Sequence, residues 1–172
     1  RLFRARVEGG FLRFFLAPDE SHWVVQDKNG TRFFLGESDD ARIEEDGWGT
    51  YLWSVTRVVD VRGNEVRYAY RPKDEDRQIY VEEVVWNSPI VVDGQEVSPD
   101  PDAVSDEFQH AVRFAYETRD DLIDSYVSRF RVSTTLRLAR IQVSSLFTSA
   151  DPERTPGRTY ELSYDPSSFL AL

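Results

Sequence analysis

The chain has 172 residues, enough for one domain with a proper core and short for two. Its 40% hydrophobic and 30% charged residues set aside disorder, and no apolar run approaches the roughly 20 residues of a membrane-spanning helix, so no direct membrane insertion is expected. A net charge of −10 argues against nucleic acid, whose phosphates demand a basic face, and the absence of cysteine removes disulfides, thiolate zinc sites and cysteine nucleophiles.

In chain order the pattern is strand after strand. Leu2–Glu8 alternates apolar and polar residues, meets Gly9-Gly10 and continues as Phe11–Leu16, which predicts a hairpin. His22–Asp27 and Thr31–Leu35 flank Lys28-Asn29-Gly30, where Asn-Gly supplies the positive φ of a tight turn. Tyr51–Val61 and Asn64–Arg71 flank Arg62-Gly63 in the same way. Further strands are predicted at Ile79–Trp86, Ala111–Glu117, Phe130–Thr134, Leu136–Ser144 and Thr159–Tyr164. Loops dense in Asp, Pro and Gly fall at Asn87–Asp106 and Ser149–Gly157, and Val104–Ala111 offers one short helix. The expected fold is all-β: antiparallel hairpins in a large twisted sheet, with little or no helix, forming one domain over residues 1–172. The first segment already reads as a strand and no signal peptide precedes it, so the natural start of the polypeptide is expected upstream of Arg1.

One motif echoes along the chain. Val66-Arg67-Tyr68-Ala69-Tyr70 recurs 46 residues later as Val112-Arg113-Phe114-Ala115-Tyr116, and a looser copy is Tyr160-Glu161-Leu162-Ser163-Tyr164-Asp165. Strand alternation puts Val66, Tyr68 and Tyr70 on one face and Arg67 on the other, and likewise for the second copy. The aromatic faces are therefore expected to be buried, and Arg67 and Arg113 more exposed.

Residues able to carry chemistry are few. His22 and His110 lack metal-ligand spacing to another His or Cys, and no Ser sits in a nucleophile elbow. The acidic clusters Asp39-Asp40, Glu44-Glu45-Asp46, Asp74-Glu75-Asp76, Asp100/Asp102 and Asp120-Asp121/Asp124 read as solvated loop charge that guards strand edges. Asp100-Pro101-Asp102 is the nearest approach to a calcium loop, and no pair of carboxylates is placed for glycoside hydrolysis. No catalytic, cofactor-binding or metal residue is assigned. A rival reading is a carbohydrate-binding β-module with Trp23, Trp48, Trp53 or Trp86 as exposed stacking platforms.

Three blocks carry a family resemblance. Trp23-Val24-Val25-Gln26-Asp27-Lys28-Asn29-Gly30-Thr31 with Phe34-Leu35-Gly36 resembles a segment of plasmid-virulence B proteins (SpvB type) and of insecticidal toxin-complex B subunits (TcB type). Trp53-Ser54-Val55-Thr56-Arg57-Val58-Val59-Asp60, Gly63-Asn64 and Val66–Tyr70 are similar to that family's W-x-L-x-x-I-x-D-x-x-G-N-x-I-x-Y-x-Y stretch. Val112–Asp121, Ser125-Tyr126, Phe130–Thr135 and Leu136–Val143 resemble its R-x-D, S-Y, G-F-x-x-R-T-x-R-L passage, with Arg129 where the family tends to have Gly and Ser133 where it tends to have Arg.

The resemblance implies a non-catalytic scaffold segment of a secreted bacterial toxin, one part of a longer Rhs/YD-like β-sheet shell around a toxic effector. Implied partners are other segments and subunits of the same toxin complex: a YD/Rhs-repeat partner, a pore-forming subunit and the enclosed effector domain. No cofactor is implied. Stand-alone family members also resemble carriers of an ADP-ribosyltransferase, whose Glu-x-Glu pair has no counterpart here; Ser133-Thr134-Thr135 matches only its middle element.

Overall fold

Ten strands follow one another across one antiparallel sheet in the computed structural model: β1 (Leu2–Arg4), β2 (Arg13–Leu16), β3 (Trp23–Gln26), β4 (Arg32–Leu35), β7 (Val55–Val59), β8 (Glu65–Tyr70), β9 (Val81–Trp86), β12 (His110–Ser125), β13 (Val132–Ser145) and β14 (Thr155–Glu161). Two small hairpins interrupt the series: β5 (Arg42–Glu45) with β6 (Gly49–Trp53), and β10 (Val91–Val92) with β11 (Gln95–Glu96). The structure describes residues 1–7, 9–72, 75–87, 91–92, 95–96, 108–145 and 155–165. Strand dominates the described residues, and helix among them is a single 3-10 turn at Asp39–Ala41, so the fold is all-β.

Two hairpin turns are built alike. Asp27–Thr31 joins β3 to β4 and Asp60–Asn64 joins β7 to β8. In each, the glycine amide donates to the Asp main-chain carbonyl at 3.2 Å. The Asp carboxylate then accepts two more amides at 2.7–2.9 Å: Asn29 and Thr31 in the first turn, Arg62 and Asn64 in the second. Gly30 and Gly63 hold φ of +90° and +86°, a left-handed backbone open to glycine at little cost. Only the glycine of each turn takes positive φ; Asn29 does not.

The structure moves several predicted boundaries. Tyr51–Val61 is two strands, because Ser54 leaves the ladder: its amide donates to Ala41 and its carbonyl accepts from Gly36. The β5–β6 hairpin was hidden in the sequence because Glu44-Glu45-Asp46 reads as loop charge. In place, Arg42 and Thr50 satisfy Glu44 at 3.1 Å each. Phe130–Thr134 and Leu136–Ser144 belong largely to one strand, β13, and β12 runs through Asp120-Asp121 to Ser125. The helix predicted at Val104–Ala111 is overturned where it can be seen, since His110 and Ala111 open β12; residues 104–107 lie outside the described residues. Residues 88–90, 93–94, 97–106 and 149–154 of the predicted loops also lie outside them, while β10, β11 and the start of β14 occupy the rest.

Candidate functional site: a sheet with two unlike faces

Register fixes which side chains share a face, because paired residues lie side by side. One lateral row runs Phe3, Phe14, Val25, Phe33, Val58, Val66, Trp86, His110 through eight neighbouring strands. A second row on the same face holds Tyr68, Val84, Val112 and Val143. These residues are aromatic and aliphatic, yet from Phe14 onward they are only half-buried and Phe3 is exposed; the rows then continue into Ser145 beside His110 and Arg158 beside Val143.

The opposite face is ionic. Arg113 pairs with Glu83 at 2.7 Å, Arg137 with Glu117 at 2.7 Å and Arg140 with Glu161 at 2.6 Å, each across a strand boundary from its register partner. Arg67 meets Glu65 at 2.8 Å, and Arg57 meets Glu37 at 2.9 Å while its guanidinium lies 3.8 Å over the Phe34 ring.

The expectation for the two echoing copies holds in part. Val112, Phe114 and Tyr116 are half-buried with Arg113 exposed, as alternation requires. Arg67 departs from it: its side chain is only 12% exposed. Phe108 is the reason. It is wholly buried with Val85 and Ala111 on the arginine face, and Arg67 lies 5.2 Å over its ring. The best-buried cluster of the described sheet thus sits on the side expected to face outward, and the aromatic side is the less covered one.

The echo itself is real geometry. Tyr70 donates its hydroxyl to the Val55 carbonyl at 2.5 Å, Tyr116 to Val81 at 2.7 Å and Tyr164 to Leu138 at 2.5 Å. Extending each ladder by register, the accepting residue is always the one opposite the residue before the tyrosine. Both clear copies also carry a bulge at the same Ala-Tyr step: Ala69 and Tyr70 pair with Glu83 and Val81, and Ala115 and Tyr116 pair with Arg140 and Leu138. Burial is the main reason that both hydroxyls are harder to ionise than usual, with Tyr70 pushed up to about 12. A fourth tyrosine, Tyr80, closes the irregular stretch between β12 and β13. Its hydroxyl accepts the amides of Thr135 and Leu136 at 2.9 and 3.0 Å, and its ring meets Tyr116 at 5.2 Å. Sequence reasoning found Tyr70, Tyr116 and Tyr164 through the repeat but gave no signal for Tyr80 or Phe108.

An open groove of about 720 Å³ lies where the β5–β6 hairpin crosses the aromatic face, bounded by Leu52, Trp53, Tyr68, Tyr70 and Val81. Among the tryptophans, Trp48 is 60% exposed, while Trp23, Trp53 and Trp86 are half-buried. Trp23 and Trp53 meet edge-on at 87°, and the Trp53 indole N–H donates to Ser21 at 3.1 Å. Two coplanar exposed rings, the platform a sugar needs, do not occur among the described tryptophans. His22 hydrogen-bonds Ser21, and His110 hydrogen-bonds Ser145 and packs on Trp86. Ser133 donates to Asp124, and Thr135 to Asp76 at 2.6 Å, so the hydroxyls and acids of this stretch serve the sheet. No group of three metal-ligating side chains occurs among the described residues.

The sequence model of the family described as Salmonella virulence plasmid 65kDa B protein, SpvB, matches residues 1–88, just over half of the 172. The chain belongs to the SpvB family. Solved structures extend the likeness of the SpvB-type fold along the chain. The N-terminal domain of effector protein SpvB from Salmonella typhimurium strain LT2 superposes with a TM-score of 0.76 at 18% identity, over 95% of this chain and 63% of that one. The Photorhabdus luminescens Tc holotoxin pore gives 0.73 at 19% identity, over 94% of this chain and 10% of that one. The TcdB2-TccC3-Cdc42 crystal structure gives 0.75 at 18%, again over 10% of its chain. The chain therefore spans less than two thirds of the SpvB structure and a tenth of the Tc chains. No curated protein matches it. It is a domain of SpvB family and fold.

Proposed function

We propose that this domain is non-catalytic and works as wall: a scaffold segment of a secreted SpvB/TcB-like toxin shell that encloses or presents an effector. The observation that carries the reading is the asymmetry of the sheet. One face is locked by cross-strand ion pairs, and the other offers a continuous half-buried aromatic surface against which further protein packs. The strands run in series, as suits a surface extended by adding neighbours, and residues 1–172 act as one unit in it. Its partners are other segments and subunits of the same complex, in keeping with the Tc assemblies that share the fold.

In the full-length protein, charges placed on the aromatic face (Phe33→Asp with Val58→Asp) should expose the molecule to limited proteolysis, while Arg140→Ala should leave the digest unchanged. Purified protein should neither consume NAD nor cleave glycosides. Reproducible turnover abolished by a single Asp or Glu substitution would overturn the scaffold reading.

A further inference from the structure

Every arginine of β7 through β13 finds a carboxylate beside it, and Arg113, Arg137 and Arg140 find it directly across the ladder. The first four strands break that rule. Register lines up Arg4, Arg13, Gln26 and Arg32 in one lateral row on the ionic face. All three arginines are exposed, and none is ion-paired among the described residues. Arg4 and Arg13 are direct cross-strand partners, an arrangement of like charges that costs stability where it stands. Residues 1–36 hold six Lys and Arg against four Asp and Glu, a net of +2, in a chain whose total is −10. The neighbouring row on the face is apolar and partly bare: Leu2 is 52% exposed and Phe15 37%, followed by Val24 and Phe34.

We propose that this quarter of the ionic face is a docking surface for an acidic polypeptide segment with interspersed apolar residues, presented by another part of the toxin assembly. The occupant follows from charge complementarity. Elsewhere on the face each arginine meets a carboxylate of this chain, from the next strand for Arg113, Arg137 and Arg140 and from nearer in the fold for Arg57, Arg67 and Arg119; here the missing carboxylates come from the partner. Strands lie about 4.8 Å apart, so the row from Arg4 to Arg32 spans about 15 Å, a reach of four or five extended residues. Leu2 and Phe15 give the partner's apolar residues somewhere to pack, which a phosphate backbone would not use. The surface is distinct from the aromatic face and stands whether or not that face forms a shell lining.

The test is fluorescence anisotropy of the whole chain with a labelled peptide of alternating glutamate and valine. A lysine–valine peptide, a short DNA duplex and phosphatidylserine vesicles are run alongside. The glutamate peptide should bind, and added salt should weaken it. Arg4→Glu, Arg13→Glu and Arg32→Glu together should weaken it by about tenfold or more, whereas Arg62→Glu with Arg131→Glu should not. Arg13→Gln alone serves if the triple variant fails to fold. It relieves the Arg4–Arg13 repulsion, so it should weaken binding while Tm holds or rises. The proposal is overturned by no binding, by binding indifferent to these arginines, by a fall in Tm that tracks the binding loss, or by tighter binding to DNA or vesicles.

Discussion

Arg129 shows how a single departure from a family pattern becomes physical. It closes the turn at Tyr126, donating its amide to the Tyr126 carbonyl at 3.0 Å, with φ of +75°. That backbone region costs an ordinary L-residue about 1–2 kcal/mol and glycine little, a physical reason for the glycine that the family resemblance leads one to expect there. Arg129→Gly should therefore stabilise the protein by about 0.5–1 kcal/mol, read as a higher urea midpoint at unchanged slope. The tyrosine hydroxyls make the converse case. Tyr116→Phe leaves the Val81 carbonyl without its side-chain donor and should cost about 1 kcal/mol. Tyr70→Phe should cost about the same near neutral pH and also reshape the alkaline limb. Because burial raises the folded Tyr70 hydroxyl to about 12, the unfolded chain loses that proton first. Its contribution is full below about pH 10 and drains away as pH climbs toward the folded value. Melting temperatures of Tyr70→Phe should fall less steeply over that interval than those of the parent. The Asp60 carboxylate gives an acid limb of opposite sense. Hydrogen bonding, from Asn64 above all, lowers its pKa, so its support is present above the ordinary carboxylate range and lost on acidification below it. Asp60→Asn should flatten that limb.

At the scale of elements, alternation of side chains made the strands of β3, β4, β8 and β9 readable almost to their ends, and the recurring pentapeptide pointed to matching units. The register bears the match out down to the bulged residue, Glu82 in β9 and Ala139 in β13. The β5–β6 hairpin escaped because a strand made of Arg42, Glu44 and Glu45 looks like solvent-facing charge until Asp39, Thr50 and Arg77 are in place to meet it. The seat of the buried cluster escaped for a related reason. Phe108 comes from a stretch with no periodic signal, and only the tertiary fold lays it over Val85 and Ala111. Phe108→Ala should cost about 3–5 kcal/mol, as for a fully buried aromatic. Tyr68→Ala, on the half-buried face, should cost less, and denaturant melts of the two variants rank them directly. Arg67→Ala should cost more than Arg113→Ala, because it strips cover from the Phe108 ring as well as removing an ion pair.

For the molecule as a whole, composition and turn chemistry were enough to exclude helical architecture, and motif order was enough to point to the family. The candidate site was legible only as a pair of faces. Which face would be better covered depends on Phe108 and on the β5–β6 hairpin, neither of which announces its position along the chain. Strand order in the ten-stranded sheet follows chain order throughout, apart from the two hairpin excursions. Each strand therefore docks on one that precedes it, and loop-closure entropy is met in small instalments instead of one long-range pairing. A nascent chain can add its strands vectorially, in the order of synthesis. Opening can likewise begin at either end, so hydrogen exchange should grade from rapid at β1 and β14 to slow at β8 and β9, without one protection level shared by all ten strands.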